Sequence, residues 1–322
     1  LKINYVGYFN PFFYNGGGEM VMRSVLEAGM RKGHAISVSS VRPRRMAYDL
    51  TAQFDFLADV FNYPCTLKSR GAWLDFSSGF IQGIAENRPF IHFSNAYADV
   101  CNLGYLPCSG KANPVCPHKS IFNLPRNLAA KDFSAVCFAE RSLVRSLFLN
   151  SRLNVFVSPL HHRVIYNILG MKNEVPEFII KPVIDGSLFY NRNEKRDMEY
   201  LFVGVIGEAK GLAEMRRLFC NKDIHFIGKT APGNRLDFGV HHGFVPYAKV
   251  PDFMNRARNF VFMPRWPEPQ GRVVIEAALC GCNLVVNDNV GATSFPFDIS
   301  DISNFRHATE EFWGRIEEMF NE

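Results

Sequence analysis

Short apolar runs alternate with longer stretches of helical period along the whole of this chain, and that alternation constrains the fold most. Strand, helix and strand in repetition build parallel sheets, because parallel neighbours need a crossover long enough to hold a helix. Residues 3–8 read as a strand, Gly16-Gly-Gly18 as a loop, and residues 19–32 as a helix stopped by Gly33. Residues 36–41 make the next strand, and glycine just past a helix end is the expected stop. A helix near 73–86, a strand at 90–93, an irregular segment at 95–124 and a helix near 126–149 follow. A strand at 155–157, a helix near 160–169 and a strand at 178–180 close the first half.

Residues 181–198 are polar, with Pro182, Gly186 and the run Asn191-Arg-Asn-Glu-Lys-Arg-Asp197, and read as a linker. The pattern then restarts with a strand at 200–203, a loop through Lys210-Gly211 and a helix ending near 219. Strands at 224–227 and 240–244, a helix near 250–257, and strands at 259–263 and 284–286 complete it. The expected fold is α/β, with two doubly wound parallel-sheet domains facing across a cleft, residues 1–182 and 183–322. Residues 308–320 read as an amphipathic helix that either packs back on the first domain or ends the second. A length of 322 residues, about twice that of a usual domain, suits this division.

No apolar run approaches the roughly 18 to 20 residues of a membrane span. The eight cysteines are scattered through a chain too large to need staples, which points to a reducing, cytoplasmic setting. Charge is uneven. Residues 1–180 carry 19 Lys/Arg against 12 Asp/Glu, a net +7, whereas residues 181–322 carry 17 against 19, a net −2. The basic first half, with Arg42-Pro-Arg-Arg45, suits an anionic partner such as the inner face of a membrane, or is simply a solvated loop. No nucleic-acid-binding motif accompanies the charge, so nucleic acid is not an expected partner.

The chemistry concentrates in Pro264-Arg-Trp-Pro-Glu-Pro-Gln-Gly-Arg-Val-Val-Ile-Glu276, which runs into Ala277-Ala-Leu-Cys-Gly281. Glu268 and Glu276 stand eight positions apart, across a glycine turn and a helix start that follow a strand. Open α/β sheets bind ligands at the carboxyl ends of their strands, and a helix start offers free N–H groups to an anion.

Three elements in order resemble the family-four glycosyltransferases of GT-B fold: Gly16-Gly-Gly-Glu19 with Arg31-Lys-Gly-His34, Phe202-Val-Gly204 leading to Lys210-Gly211, and Glu268 to Glu276 continuing to Gly281. Pro182-Val-Ile-Asp185 matches the lead into that family's second domain. The resemblance implies a retaining transfer of a sugar from a nucleotide-sugar donor to a glycan, lipid-linked or other acceptor, with no metal required. It implies that Glu276 accepts from the ribose hydroxyls, that Glu268 contacts the donor sugar, and that Lys210 sits on the diphosphate. Gly204 and Gly271 would shape the nucleotide site, and Gly17 and Gly18 would let the first domain's backbone approach the donor.

The chain departs from that pattern at two places. Val205 stands where the family commonly has arginine, and Arg272 is the candidate substitute, through bidentate guanidinium–phosphate pairing or as a merely exposed side chain. Asn95 stands where relatives carry a first-domain histidine, so His92 is the candidate replacement, or is structural. His34 beside Gly33 is expected to help finish its helix. Cys101, Cys108, Cys116 and His118 form a candidate structural zinc set, with a disulfide and free thiols as the alternatives. The remaining cysteines read as core or helix residues. The alternative functions are a sugar-nucleotide epimerase of the same fold, a degenerate sugar-nucleotide or glycan-binding protein, and a glycosidase carboxylate pair that lacks its surrounding pattern.

Overall fold

A computed structural model describes residues 1–13, 16–42, 65–68, 89–101, 106, 142–172 and 174–321. The chain divides into two compact units, one of Leu1–Val157, His161–Lys181 and His307–Glu322, the other of Ser158–Leu160 and Pro182–Arg306.

The first unit holds strands β1 (Lys2–Phe9), β2 (Ala35–Arg42), β3 (Cys65–Lys68), β4 (Phe90–Phe93), β5 (Leu153–Phe156) and β6 (Glu177–Ile179) in the spatial order β2-β1-β3-β4-β5-β6. Every pairing is parallel, with Ile3 opposite Ile36 and Ile91 opposite Leu153. Helix α1 (Gly17–Arg31) buries Val21, Met22, Val25, Leu26 and Ala28, and stops where Gly33 takes a φ of +86°. Helices α2 (Ser142–Leu149) and α3 (Pro159–Leu169) follow. Strand β3 is absent from the sequence reading; its four residues lie between β1 and β4 in the sheet. The helix expected near 73–86, Arg42-Pro-Arg-Arg45 beyond its first residue, and most of the helix expected near 126–149 lie outside the described residues.

The second unit holds β7 (Met198–Val203), β8 (Ile224–Ile227), β9 (Val240–His241), β10 (Ala257–Phe262) and β11 (Asn283–Val286) in the order β11-β10-β7-β8-β9, again all parallel. Helices α4 (Leu212–Phe219), α5 (Val250–Arg256) and α6 (Arg272–Leu279) connect them. Phe202, Phe226, Phe260 and Val261 fill its core. The strand expected at 240–244 shortens to two residues, because Gly243 turns at a φ of +71° and Pro246 has no N–H to donate.

The supposed linker is anchored to the second unit. Arg192 N–H donates to Asn255 Oδ1 at 2.8 Å, and Arg192 Nη1 to Asp252 Oδ1 at 2.7 Å. Arg196 donates to the carbonyls of Met254, Ala257 and Cys280, at and around the ends of α5 and α6. A guanidinium there satisfies orphan carbonyls and complements the negative helix ends. The polar composition that reads as a linker is capping chemistry.

The last helix, α7 (Ala308–Asn321), belongs to the first unit. Trp313 is fully buried and its indole N–H donates to Val25 O at 2.7 Å. Gly29 makes room for it: a Cβ there would stand 2.4 Å from the indole ring. Glu317 pairs with Lys32 at 2.9 Å and His34 at 3.0 Å, so His34 binds α7 as well as closing α1. No helix among the described residues is long and apolar enough to cross a membrane. Trp313→Ala is expected to destabilise the first unit by about 3–5 kcal/mol, through the cavity and the unpaired Val25 carbonyl. A urea titration monitoring unfolding checks this; a midpoint equal to wild type would show that α7 contributes little.

Candidate functional site

The second unit gathers its reactive side chains at the carboxyl ends of β7 and β10, which are neighbours in the sheet. After β7 the chain passes Gly204 and Val205 to a 3-10 turn, Glu208–Lys210, and then Gly211, which starts α4 at a φ of +87°. A Cβ on Gly211 would stand 2.0 Å from Met263 O, so only glycine lets this turn lie against the segment leaving β10. Arg265 N–H donates to Ala209 O at 3.1 Å across the same junction.

That contact brings Lys210 to Glu268. Lys210 Nζ lies 2.5 Å from Glu268 Oε2, and their side chains are only 22% and 15% exposed. The ammonium also lies 5.1 Å from the Trp266 ring centroid and 5.2 Å from that of Phe262, close enough for cation–π attraction. Glu268 is fixed through its backbone, which donates to Asn289 O at 2.7 Å and accepts from Gly291 N–H at 3.0 Å. A half-buried ion pair flanked by aromatic faces is a pre-formed charge site, in which an incoming anion would compete with Glu268 for the lysine.

Gly271, at a φ of +75°, is the N-cap of α6, and no side chain caps that helix start. Glu276, one turn further on, is 4% exposed. It accepts a hydrogen bond from the Tyr247 hydroxyl at 2.7 Å and lies 3.5 Å from Arg272 Nη2. Burial pushes the Glu276 carboxyl above the usual range, while Arg272 and Tyr247 pull it back. Arg272 is turned toward Glu276 and Tyr247. Val205 is 55% exposed, so no guanidinium stands at that position of the β7 loop.

In the first unit His92 is fully buried on β4, 3.4 Å from Asp99 Oδ2, with its ring edge against Phe148 at 4.2 Å. Burial lowers the neighbouring His161 to about 3, so that ring is neutral. His92 has no exposed edge for a substrate. Asn95, three residues on, is the polar side chain beside the α1 start: a Cβ on Gly18 would stand 2.9 Å from Asn95 Nδ2. Gly17 is exposed, and the Glu19 carboxylate folds back toward the N-cap Gly16, where a Cβ would stand 2.1 Å from Glu19 Oε2.

Of the suggested zinc ligands, Cys108, Cys116 and His118 lie outside the described residues, and Cys101 is buried. Among the described residues no group of three or more His, Cys, Asp or Glu is placed to hold a metal. The sequence reading missed Tyr247. It lies 29 residues from Glu276 with no motif linking them, and only its place after Gly243-Phe-Val-Pro246 marks a turn.

With the geometry established, likeness to solved structures bears on the fold. HepE of Anabaena, in complex with UDP, superposes with a TM-score of 0.58 at 13% identity, over 97% of this chain and 90% of that one. The lipopolysaccharide outer core galactosyltransferase WaaB, in its apo form, gives 0.53 at 10% identity, over 97% and 91%. BGT of T4 phage, in complex with its UDP-glucose substrate, gives 0.50 at 10% identity, over 100% and 94%. The chain has the GT-B fold. At such identities the likeness is one of GT-B architecture, and chemistry has to be argued from the side chains. No known family model matches the sequence, and no curated protein matches it.

Glu276 carries a stability prediction. Its folded pKa lies above the ordinary carboxylate value, so its folded form is favoured when protonated and that advantage is lost as pH rises through the raised value. Glu276→Gln is therefore expected to melt higher than wild type at neutral and alkaline pH, the gap closing as pH falls toward the usual carboxylate range. Thermal denaturation across that range checks this; a variant less stable at alkaline pH would contradict it.

Proposed function

We propose that the protein is a nucleotide-sugar-dependent glycosyltransferase of hexosyltransferase type, whose second unit holds the donor. The observation that carries this is the Lys210–Glu268 pair at the ends of adjacent parallel strands, beside the uncapped start of α6. An anion is the natural guest of such a helix start. The donor's diphosphate is assigned to Lys210 and to the N–H groups following Gly271. Gly204 leaves the β7 loop open, and Glu276 accepts from the ribose hydroxyls. Glu268 gives up its lysine to the diphosphate and orients the sugar, with Trp266 beside it. Arg272 joins the diphosphate only by leaving Glu276, so its first role is on the ribose side.

In the transfer the bond from the anomeric carbon to the diphosphate oxygen breaks, and the diphosphate keeps the electron pair. An acceptor oxygen forms the new bond and releases its proton. Lys210 stabilises the charge that grows on the leaving oxygen, where a positioned cation is most effective. Retention at the anomeric carbon, and a glycan or lipid-linked acceptor, are parts of this reading supported by the resemblance of the motifs. The basic first half supports peripheral association with an anionic membrane. Within the first unit, Gly17 and Gly18 at the α1 start, with Asn95 beside Gly18, are candidate binding groups, and His92 and Asp99 set the position of the segment that carries Asn95. The UDP and UDP-sugar named for the structural neighbours support a nucleotide diphosphate donor.

The test is a thermal-shift screen of nucleotides and nucleotide-sugars on wild type and Glu276→Ala. A ligand at a hundred times its dissociation constant adds about 2.7 kcal/mol of stability. Stabilisation by diphosphates of one base, lost in the variant, is expected. No response to any nucleotide would sink the proposal.

A further inference from the structure

Among the described residues, the Glu276 carboxylate is engaged through one oxygen. Oε1 accepts from the Tyr247 hydroxyl at 2.7 Å and lies 3.5 Å from Arg272 Nη2, which itself donates to the Tyr247 oxygen at 3.3 Å. The three side chains close a triangle on Oε1, and Oε2 takes part in none of these contacts. Tyr247 is set in place by its backbone as the first residue of a 3-10 turn, Tyr247–Lys249, just after Pro246. Its ring lies 5.2 Å from that of the buried Phe189. Arg272 reaches the same oxygen from one helical turn before Glu276.

We propose that Tyr247 is a positioning residue for the donor: its hydroxyl holds Oε1 of Glu276 so that Oε2 is presented to the vicinal hydroxyls of the ribose. The inference rests on the nucleotide reading of this site. A buried carboxyl without partners takes up a proton, and then offers a donor where the ribose needs an acceptor. Burial pushes Glu276 in that direction, and Arg272 and Tyr247 oppose it. The Tyr247 phenol is itself pushed up, first by burial and then by the Glu276 charge, so it keeps its proton and stays a donor. Among the described residues, the groups facing the carboxylate are Tyr247 from its turn and Arg272 on α6, with Cys280 at the C-cap of α6. Burial pushes the Cys280 thiol up to about 12, so it is neutral and adds no charge to the balance.

Removing the hydroxyl alone separates this role from packing. Wild type, Tyr247→Phe and Glu276→Ala are titrated calorimetrically with UDP, GDP and ADP, each alongside its 2′,3′-dideoxy counterpart, over a range of pH. For the diphosphate that binds, Tyr247→Phe is expected to lose about tenfold in affinity, the value of one hydrogen bond to a charged group. The deficit grows as pH falls, and affinity for the dideoxy ligand is unchanged, which also reports that the variant is folded. Ribose affinity equal to wild type at every pH overturns the proposal, as does an equal loss for both ligands. Wild type binding none of the diphosphates overturns the nucleotide reading and this proposal with it, and Glu276→Ala keeping the preference for ribose overturns the assignment of Glu276 to the ribose and so the proposal. A failure confined to Tyr247→Phe falls on the proposal alone.

Discussion

The parallel pairing of β7 with β10 is the contact on which the candidate site depends. Lys210 and Glu268 are 58 residues apart in sequence and meet because their loops leave the carboxyl ends of neighbouring strands. Gly211 makes the meeting close, since any side chain there would collide with the Met263 carbonyl. A cation buried beside Trp266 and Phe262 needs a counter-charge, and removing one partner of such a pair is far more damaging than the pair is stabilising. Under the proposed donor binding, exchange of the Glu268 carboxylate for a diphosphate would keep that charge balanced.

Glu276 shows the opposite arrangement. Its burial works against the charged form, and the fold retains it through Tyr247 and Arg272 instead of replacing it with a neutral side chain. A site that sacrifices stability to hold an acceptor in a dry position is characteristic of ligand recognition. The same logic separates the two units. In the first unit His92, Asp99 and His161 are buried inside the fold, whereas in the second unit Gln270 and Glu276 are buried beside the segment that leaves β10.

Much of the architecture was legible because periodicity and punctuation agree. The strands at Phe90–Phe93 and Ile224–Ile227 are bounded as their apolar runs suggest, and Gly33, Gly211 and Gly271 mark helix ends through positive φ. Strand β3 was not legible, since Cys65-Thr-Leu-Lys68 offers two apolar residues where β4 and β8 each offer three. Residues 181–198 misled for a physical reason: Arg196, which caps helix ends from a distance, and Arg192, which pairs with Asp252, look in sequence like solvated linker charge. The resemblance of the ordered motifs singled out Lys210, Glu268 and Glu276, but not which side chains touch them. Tyr247 belongs to a contact between two loops, and no local signal encodes that.

The most direct test of the central claim is a kinetic measurement of free nucleoside diphosphate released from a panel of nucleotide-sugars, for wild type and Lys210→Ala. If Lys210 receives the leaving diphosphate, wild type releases it from one donor class, and the variant is slower by about 10²–10³-fold, the usual loss when one charge-stabilising group is removed. Release at the wild-type rate by Lys210→Ala would contradict the account, because the pair at the ends of β7 and β10 would then have no part in the reaction.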